Sequence, residues 1–156
     1  MAGMKEHLPI LLCLLALGGV RAQDATLSLT VTVEDAQPNV GQIIISLFGP
    51  ENYMQTPIAQ QTGTVDDDGR CAFVFQGLTT GEYAVSAIYD EDMDGELDTG
   101  FFRIPTEKIG FSNNATGRFG PASYEDARFL LSSTNTAITI NLVGAMNVEE
   151  TSLTVN

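Results

Sequence analysis

Six of the nine residues from Asp90 to Asp98 are carboxylates, and their spacing is suited to binding a metal ion. The run reads Asp90-Glu91-Asp92-Met93-Asp94-Gly95-Glu96-Leu97-Asp98, which is the pattern D-x-D-x-D-G-x-x-D. Calcium is a hard cation that takes oxygen ligands, and a glycine at the sixth position allows the sharp turn that brings alternate positions together. Without a cation, these negative charges would repel one another at close range. The pattern therefore predicts a calcium-binding loop.

The predicted metal ligands are the alternate acidic positions of this loop: Asp90, Asp92, Asp94, Glu96 and Asp98. Glu96 would bind through its backbone carbonyl, and Asp98 would bind directly or through a water molecule. The twelfth position is Phe101, so this loop lacks the bidentate glutamate that an EF-hand carries there. Glu125 or Asp126 could supply a replacement carboxylate. The alternative is an acidic hairpin tip that is solvated and binds nothing specific.

A second candidate site is the segment from Gly110 to Ala127, which is rich in glycine, asparagine and aromatic residues. Its possible ligand-binding residues are Phe111, Asn113, Asn114, Arg118, Phe119 and Tyr124. They could line a shallow pocket in which amides and a guanidinium group bind a small polar ligand and rings supply contact area. Alternatively, the aromatic residues close one end of the fold, while asparagine and glycine supply left-handed backbone angles. We favour the structural interpretation.

The composition excludes several kinds of chemistry. The chain has 156 residues with 20 acidic and 7 basic side chains, and this net charge of −13 should repel nucleic acid and attract cations. Its one histidine, His7, lies in the expected leader, so the mature chain would have no histidine-activated nucleophile and no histidine-ligated zinc. Paired catalytic carboxylates face each other across a cleft, whereas acids crowded into a hydrophilic loop suit a cation. We therefore predict a protein that is not an enzyme.

Residues 1–22 have the features of a secretory signal peptide that is removed on export. Lys5 supplies the positive charge, residues 8–16 supply the apolar core, and Val20-Arg21-Ala22 supplies a small-x-small cleavage site. The apolar run is too short for a typical membrane span. Loss of Lys5, Glu6 and Arg21 from the 7 basic and 20 acidic residues would leave 5 and 19, a net charge of −14. We predict a secreted or periplasmic protein without a membrane span.

Alternating apolar residues indicate strands along most of the mature chain, beginning with Leu27, Leu29 and Val31. The expected strands are 27–34, 43–48, 62–65, 71–75, 82–90, 128–131 and 137–142. The third and fourth of these should pair as a hairpin across the acidic turn Asp66-Asp67-Asp68-Gly69. Short strands separated by turns predict an all-β fold: a single antiparallel β-sandwich of about seven strands, Ig-like or transthyretin-like, with one long ordered loop.

The mature chain is predicted to form one domain, residues 23–143, followed by a flexible tail, residues 144–156. Removing 22 residues from 156 leaves 134, enough for a domain with its own core. The acidic turn at residues 66–69 suits solvation better than chelation, because its consecutive side chains point in different directions, although it could add a second weak cation site. Cys13 leaves with the leader, so Cys71 has no partner for an intrachain disulfide and should be buried and unreactive.

Two groups of motifs carry a resemblance to known families. Gly77-Leu78-Thr79-Thr80-Gly81-Glu82-Tyr83-Ala84-Val85 follows the pattern G-L-x-x-G-x-Y-x-V, which resembles transthyretin-like, or prealbumin-like, sandwich modules. The remaining motifs are similar to those of the exported bacterial family called domain of unknown function 2141: residues 89–102, Ile104-Pro105, residues 110–115, Phe119-Gly120-Pro121 and Glu125-Asp126-Ala127. This second resemblance covers nearly all of residues 27–142.

The resemblance to that family implies a small secreted or periplasmic β-sandwich and no particular activity. Relatives commonly carry asparagine where this chain has Asp92 and Asp94, and the added charge favours a divalent cation. Our leading hypothesis is an exported, non-enzymatic β-sandwich protein whose loop at residues 90–98 binds Ca²⁺ and so stabilises the fold. The alternatives are a small-ligand or cell-envelope binding module that uses residues 110–127, and a metal-assisted hydrolase, which would need an open coordination position and a cleft. The sequence identifies no protein partner.

Overall fold

The computed structural model describes residues 26–100, 105–117 and 120–144, which form two β-sheets around one main core. The strands of this region are β1 (Leu27–Glu34), β2 (Gln42–Phe48), β3 (Ala59–Thr64), β4 (Cys71–Leu78), β5 (Gly81–Asp90), β6 (Ile109–Phe111), β7 (Phe129–Leu131) and β8 (Thr136–Asn141). Its helical turns include the 3₁₀ helices Pro50–Asn52 and Ser112–Asn114 and the α-helix α1 (Tyr124–Ala127). The predicted leader, and the predicted tail beyond its first residue, lie outside the described residues.

The two sheets pack as a β-sandwich, which confirms the predicted fold class. One sheet has three strands in the order β4-β1-β8, and the other has five, in the order β3-β2-β5-β6 with β7 also paired to β5. The named strand pairs are antiparallel except β1 with β8, which are parallel. Within the residues that the structure describes, no helix is long and apolar enough to cross a membrane.

Side-chain alternation along the strands builds the main core. β1 alternates buried and half-buried residues over its whole length, which places Leu29, Val31 and Val33 between the sheets. In the larger sheet, the register of β2 and β5 sets Ile45 opposite Ala87, and both are buried. Each large apolar side chain buried in this way contributes roughly 1.5–3 kcal/mol to the free energy of unfolding. A shift of one residue in strand register would turn the apolar side chains of a strand towards solvent and lose that contribution. The core therefore fixes the register of the strands that carry the acidic loop.

β5 is buried on both faces, because a second apolar cluster covers the outer side of the larger sheet. Five consecutive residues, Tyr83 to Ala87, are buried. The buried members of the second cluster are Ala84, Phe111, Ala122 and Ala127. Two of these four residues, Phe111 and Ala122, belong to residues 104–126, the segment that we predict to be a long ordered loop. Ser112 bridges the gap between β6 and β7, since its hydroxyl accepts the Val85 N–H at 2.9 Å and donates to the Ala127 carbonyl at 2.6 Å.

The predicted hairpin between residues 62–65 and 71–75 is wrong. β3 pairs with β2 and β4 pairs with β1, so these neighbours in sequence belong to different sheets. The turn between them is held by Asp66, whose carboxylate accepts the N–H groups of Asp68 at 3.0 Å and Arg70 at 2.8 Å. Such a turn can connect two sheets as well as two paired strands. The sheet to which each strand belongs is therefore decided by its partner, β2 for β3 and β1 for β4. The sequence of the turn does not indicate these partners.

Candidate metal centre

The acidic loop emerges from the end of β5, a central strand of the larger sheet. Asp90 is the last residue of β5 and lies in register opposite Gln42 of β2. Residues 91–98 form the loop, and an isolated bridge between Thr99 and Pro105 joins the two sides of the chain beyond it. Strand pairing therefore positions the first predicted ligand, whereas the other ligands depend on hydrogen bonds within and around the loop.

The Asp90 carboxylate is fully buried, with 0% of the residue exposed, and it accepts several hydrogen bonds. One oxygen accepts from Gln42 Nε2 at 2.7 Å and from the Gly95 N–H at 2.9 Å, and the other accepts from the Asp94 N–H at 3.2 Å. Burial alone would raise the pKa of this carboxyl, but hydrogen bonds from the Gln42 amide and from backbone N–H groups of the loop outweigh burial and hold the pKa below its ordinary value. Asp90 is therefore ionised at neutral pH.

Two further carboxylates fold the loop back on itself. Asp92 accepts the Asp94 N–H at 3.2 Å, and Asp94 accepts the Glu96 N–H at 2.8 Å. Each is an aspartate bonded to the backbone two residues on, an arrangement that stabilises tight turns. The backbone is left-handed at Met93 (φ 63°) and at Gly95 (φ 86°), and the latter is the glycine that the calcium-loop pattern requires. The loop therefore has the turn that the motif predicted.

Glu107 closes the loop from outside, and it was not among the predicted ligands. One oxygen of its carboxylate accepts the Glu91 N–H and the other accepts the Asp98 N–H, both at 3.0 Å. The Thr106 N–H also donates to the Asp98 carbonyl at 2.9 Å. A single side chain thus holds both ends of the acidic loop.

The register of β5 and β6 explains why Glu107 lies beside Asp90. These strands are antiparallel with Ile88 opposite Ile109, so the residue two positions after Ile88 faces the residue two positions before Ile109. β6 has only three residues, too few for a recognisable alternating pattern, and its segment was expected to be part of a loop. Glu107 could have been predicted as a ligand only if this short strand and its register with β5 had been recognised in the sequence.

Three carboxylates converge at the base of the loop. Ligand oxygens of Asp90, Asp92 and Glu107 all lie within 4.8 Å of one another, with Asp92 exposed and Glu107 half-buried. The carboxylates of Asp94 and Asp98 do not belong to this group. The structure therefore brings together two of the predicted side-chain ligands and adds a third carboxylate from the segment that precedes β6. We call these three residues the acidic cluster.

The two suggested replacement ligands are engaged elsewhere. Glu125 forms an ion pair with Arg128, with Nε and Oε2 separated by 2.8 Å. Asp126 accepts the Ser123 hydroxyl at 2.6 Å, at the N-terminus of α1. Glu107, and neither of these two residues, therefore supplies the carboxylate from outside the loop in the acidic cluster.

Two aromatic residues of the second candidate site, Phe111 and Tyr124, contribute to packing. Phe111 is 5% exposed and lies in the second apolar cluster. Tyr124 packs edge-on against Tyr53, with ring centroids 5.5 Å apart, and the Tyr53 hydroxyl donates to the Ala122 carbonyl at 2.8 Å. These contacts favour a structural role for the segment, although the two rings cover the outer face of the larger sheet instead of closing one end of the fold.

The asparagines of the same segment are bonded to the backbone. The Asn113 amide donates to the carbonyls of Asp126 at 3.1 Å and Arg128 at 2.8 Å. The Asn114 side chain accepts the Asn141 N–H at 2.9 Å. Both asparagines have left-handed backbone angles, with φ of 60° and 50°, as the structural interpretation expects. The other two candidates in this segment, Arg118 and Phe119, lie outside the described residues.

A shallow hollow of about 40 Å³ lies beside this segment, lined in part by Ile109, Phe111 and Val143. Its volume suits about one water molecule, whereas pockets for small molecules begin at roughly 300 Å³. The hollow therefore gives no support to the small-ligand alternative within the part of the chain that the structure describes.

Comparison with known proteins finds one bacterial family that covers most of the chain. The family described as “Uncharacterized protein conserved in bacteria”, domain of unknown function 2141, matches residues 31–139. The match runs from within β1 to within β8, and so it includes the acidic loop and Glu107. No curated protein matches the chain, and no solved structure matches it.

Proposed function

We propose that this chain, which belongs to the bacterial family domain of unknown function 2141, is an exported β-sandwich protein without enzymatic activity. In this proposal, its acidic loop binds Ca²⁺, and the ion acts as a structural clamp. The observation that carries this proposal is the acidic cluster, in which ligand oxygens of Asp90, Asp92 and Glu107 lie within 4.8 Å of one another. The calcium-loop spacing of residues 90–98 gives separate support from the sequence.

The spacing of the cluster suits calcium. Ca²⁺ binds oxygen at roughly 2.3–2.6 Å, so two ligands on opposite sides of one ion are about 4.6–5.2 Å apart and neighbouring ligands are closer. Oxygens within 4.8 Å of one another fit that range. Calcium also accepts about six to eight oxygens in irregular arrangements, which leaves places for Asp94, Glu96, Asp98 and water. Mg²⁺ prefers a near-ideal octahedron at about 2.0–2.1 Å and retains its waters, so it fits less well.

A bound ion would connect three parts of the chain. Asp90 ends β5, Asp92 lies in the loop, and Glu107 precedes β6. Ionised carboxylates at this distance repel one another, and a divalent cation between them replaces that repulsion with attraction. Asp90 is already held by Gln42 and by the loop backbone, so little ordering is needed at that ligand. The expected result of binding is a more stable fold.

The expected affinity is weak, with a dissociation constant of about 10⁻⁴–10⁻³ M, as in extracellular calcium-binding modules. Binding to the folded state alone would add about 1.4 kcal/mol to the free energy of unfolding when calcium is about tenfold above that constant. Typical domains have a total free energy of unfolding of only about 5–15 kcal/mol. The ion would therefore contribute a substantial fraction of the stability.

Thermal unfolding of the exported chain, with EDTA and with millimolar calcium at equal ionic strength, tests this proposal. Calcium should raise the unfolding midpoint by roughly 3–8 °C, because the ion binds the folded state and not the unfolded one. Magnesium at the same concentration should raise it less. An unchanged midpoint in millimolar calcium contradicts calcium binding.

Substitutions within the acidic cluster locate the ion. Glu107→Gln and Asp92→Asn should each abolish most of the calcium-dependent shift, because each removes one charged ligand. Asp67→Asn is the matched control, since it removes one exposed carboxylate from the acidic turn outside the cluster and should preserve the shift. A shift that survives both cluster substitutions would place the ion elsewhere.

The hydrolase alternative has less support than the structural clamp. A metal-assisted hydrolase needs an open coordination position within a cleft that binds substrate. The described lining of the hollow beside Ile109 and Phe111 contains no member of the acidic cluster, so the hollow does not serve as the cleft of that cluster. We therefore propose a protein without catalytic activity.

A further inference from the structure

We draw no further inference here: the strongest candidate, the uncharged edge strand β3 of the larger sheet, with Gln60, Thr62 and Thr64 exposed, is regular enough to pair with another strand, but nothing in the structure shows what covers it.

Discussion

At the scale of single residues, two neighbouring tyrosines have hydroxyl groups in opposite situations. Tyr53 donates to the Ala122 carbonyl at 2.8 Å. The Tyr124 hydroxyl is buried and has no hydrogen-bond partner among residues 26–100, 105–117 and 120–144. Burial raises the pKa of both phenols, and the charge of Asp126 raises that of Tyr53 further, so both stay neutral at physiological pH. A buried polar group without a partner costs about 1–3 kcal/mol.

We expect Tyr124→Phe to leave the free energy of unfolding unchanged or to raise it by about 1 kcal/mol, and Tyr53→Phe to lower it by about 1 kcal/mol. The two substitutions form a matched pair, because each removes one hydroxyl group and keeps the ring. Urea unfolding followed by circular dichroism measures both. A larger loss for Tyr124→Phe than for Tyr53→Phe would show that the Tyr124 hydroxyl is bonded in solution.

Cys71 is a free thiol buried in β4. Burial raises the pKa of this thiol, and the nearby charge of Asp66 raises it further. A thiol that ionises less readily when folded contributes stability that is complete below the unfolded pKa of about 8.5 and is lost as the pH rises through the folded value. Burial in the protonated form also explains why we predict slow reaction with thiol reagents.

The free energy of unfolding of the wild-type protein should therefore fall more steeply with pH, above about pH 8.5, than that of Cys71→Ala. Urea unfolding at a series of pH values measures both slopes, and their difference isolates the thiol from other titrating groups. Cys71→Ala should be less stable at neutral pH, because it loses buried atoms. Parallel pH profiles for the two proteins would contradict the raised pKa.

At the scale of secondary-structure elements, patterns within one strand were predictable, and pairing between strands was not. β1 occupies Leu27–Glu34 as predicted, because its alternation depends on consecutive residues. The candidate site shows the same difference between local pattern and strand pairing. Asp90 and Asp92 belong to one sequence motif and were predicted, whereas Glu107 lies beside them because of the register of β5 and β6 and was not. The wrong hairpin has the same origin, since β3 and β4 pair with strands that the intervening turn does not specify.

Gly41, just before β2, shows how closely neighbouring elements approach at the base of the acidic loop. Its φ is +70°, and a Cβ atom there would lie 2.6 Å from the Asp90 carbonyl oxygen and 2.9 Å from Glu91 Cα. Gly77 has a similar φ of +74°, but a Cβ atom there would meet nothing within 4 Å. These two glycines separate the cost of the backbone conformation from the cost of a steric clash.

Gly41→Ala should lower the free energy of unfolding by about 2–4 kcal/mol and weaken the calcium response, because the loop base must move. Gly77→Ala should cost about 1–2 kcal/mol, from its left-handed backbone alone, and should keep the calcium response. Urea unfolding with calcium and with EDTA measures both effects. Equal losses and equal calcium responses would show that the close approach at Gly41 has no consequence.

At the scale of the whole molecule, the predicted leader at residues 1–22 leads to a testable expectation about export. The full chain, expressed in a bacterial host, should appear outside the cytoplasm as a species that begins at Gln23, because cleavage after Ala22 removes 22 residues. Intact mass and N-terminal sequencing identify that species. A variant without residues 8–16 is the control and should stay in the cytoplasm. Uncleaved wild-type chain in the cytoplasm would contradict export.

The parallel pairing of β1 with β8 has a consequence for when the molecule can fold. Leu29 pairs with Thr136, so β1 pairs with a strand that lies more than a hundred residues later in the chain. In a chain that is still being synthesised and does not yet include β8, the backbone groups on one side of β1 have no strand to pair with. Pairing between segments so distant in sequence is also intrinsically slow. The three-stranded sheet can therefore be completed only after synthesis has passed Asn141, the last residue of β8.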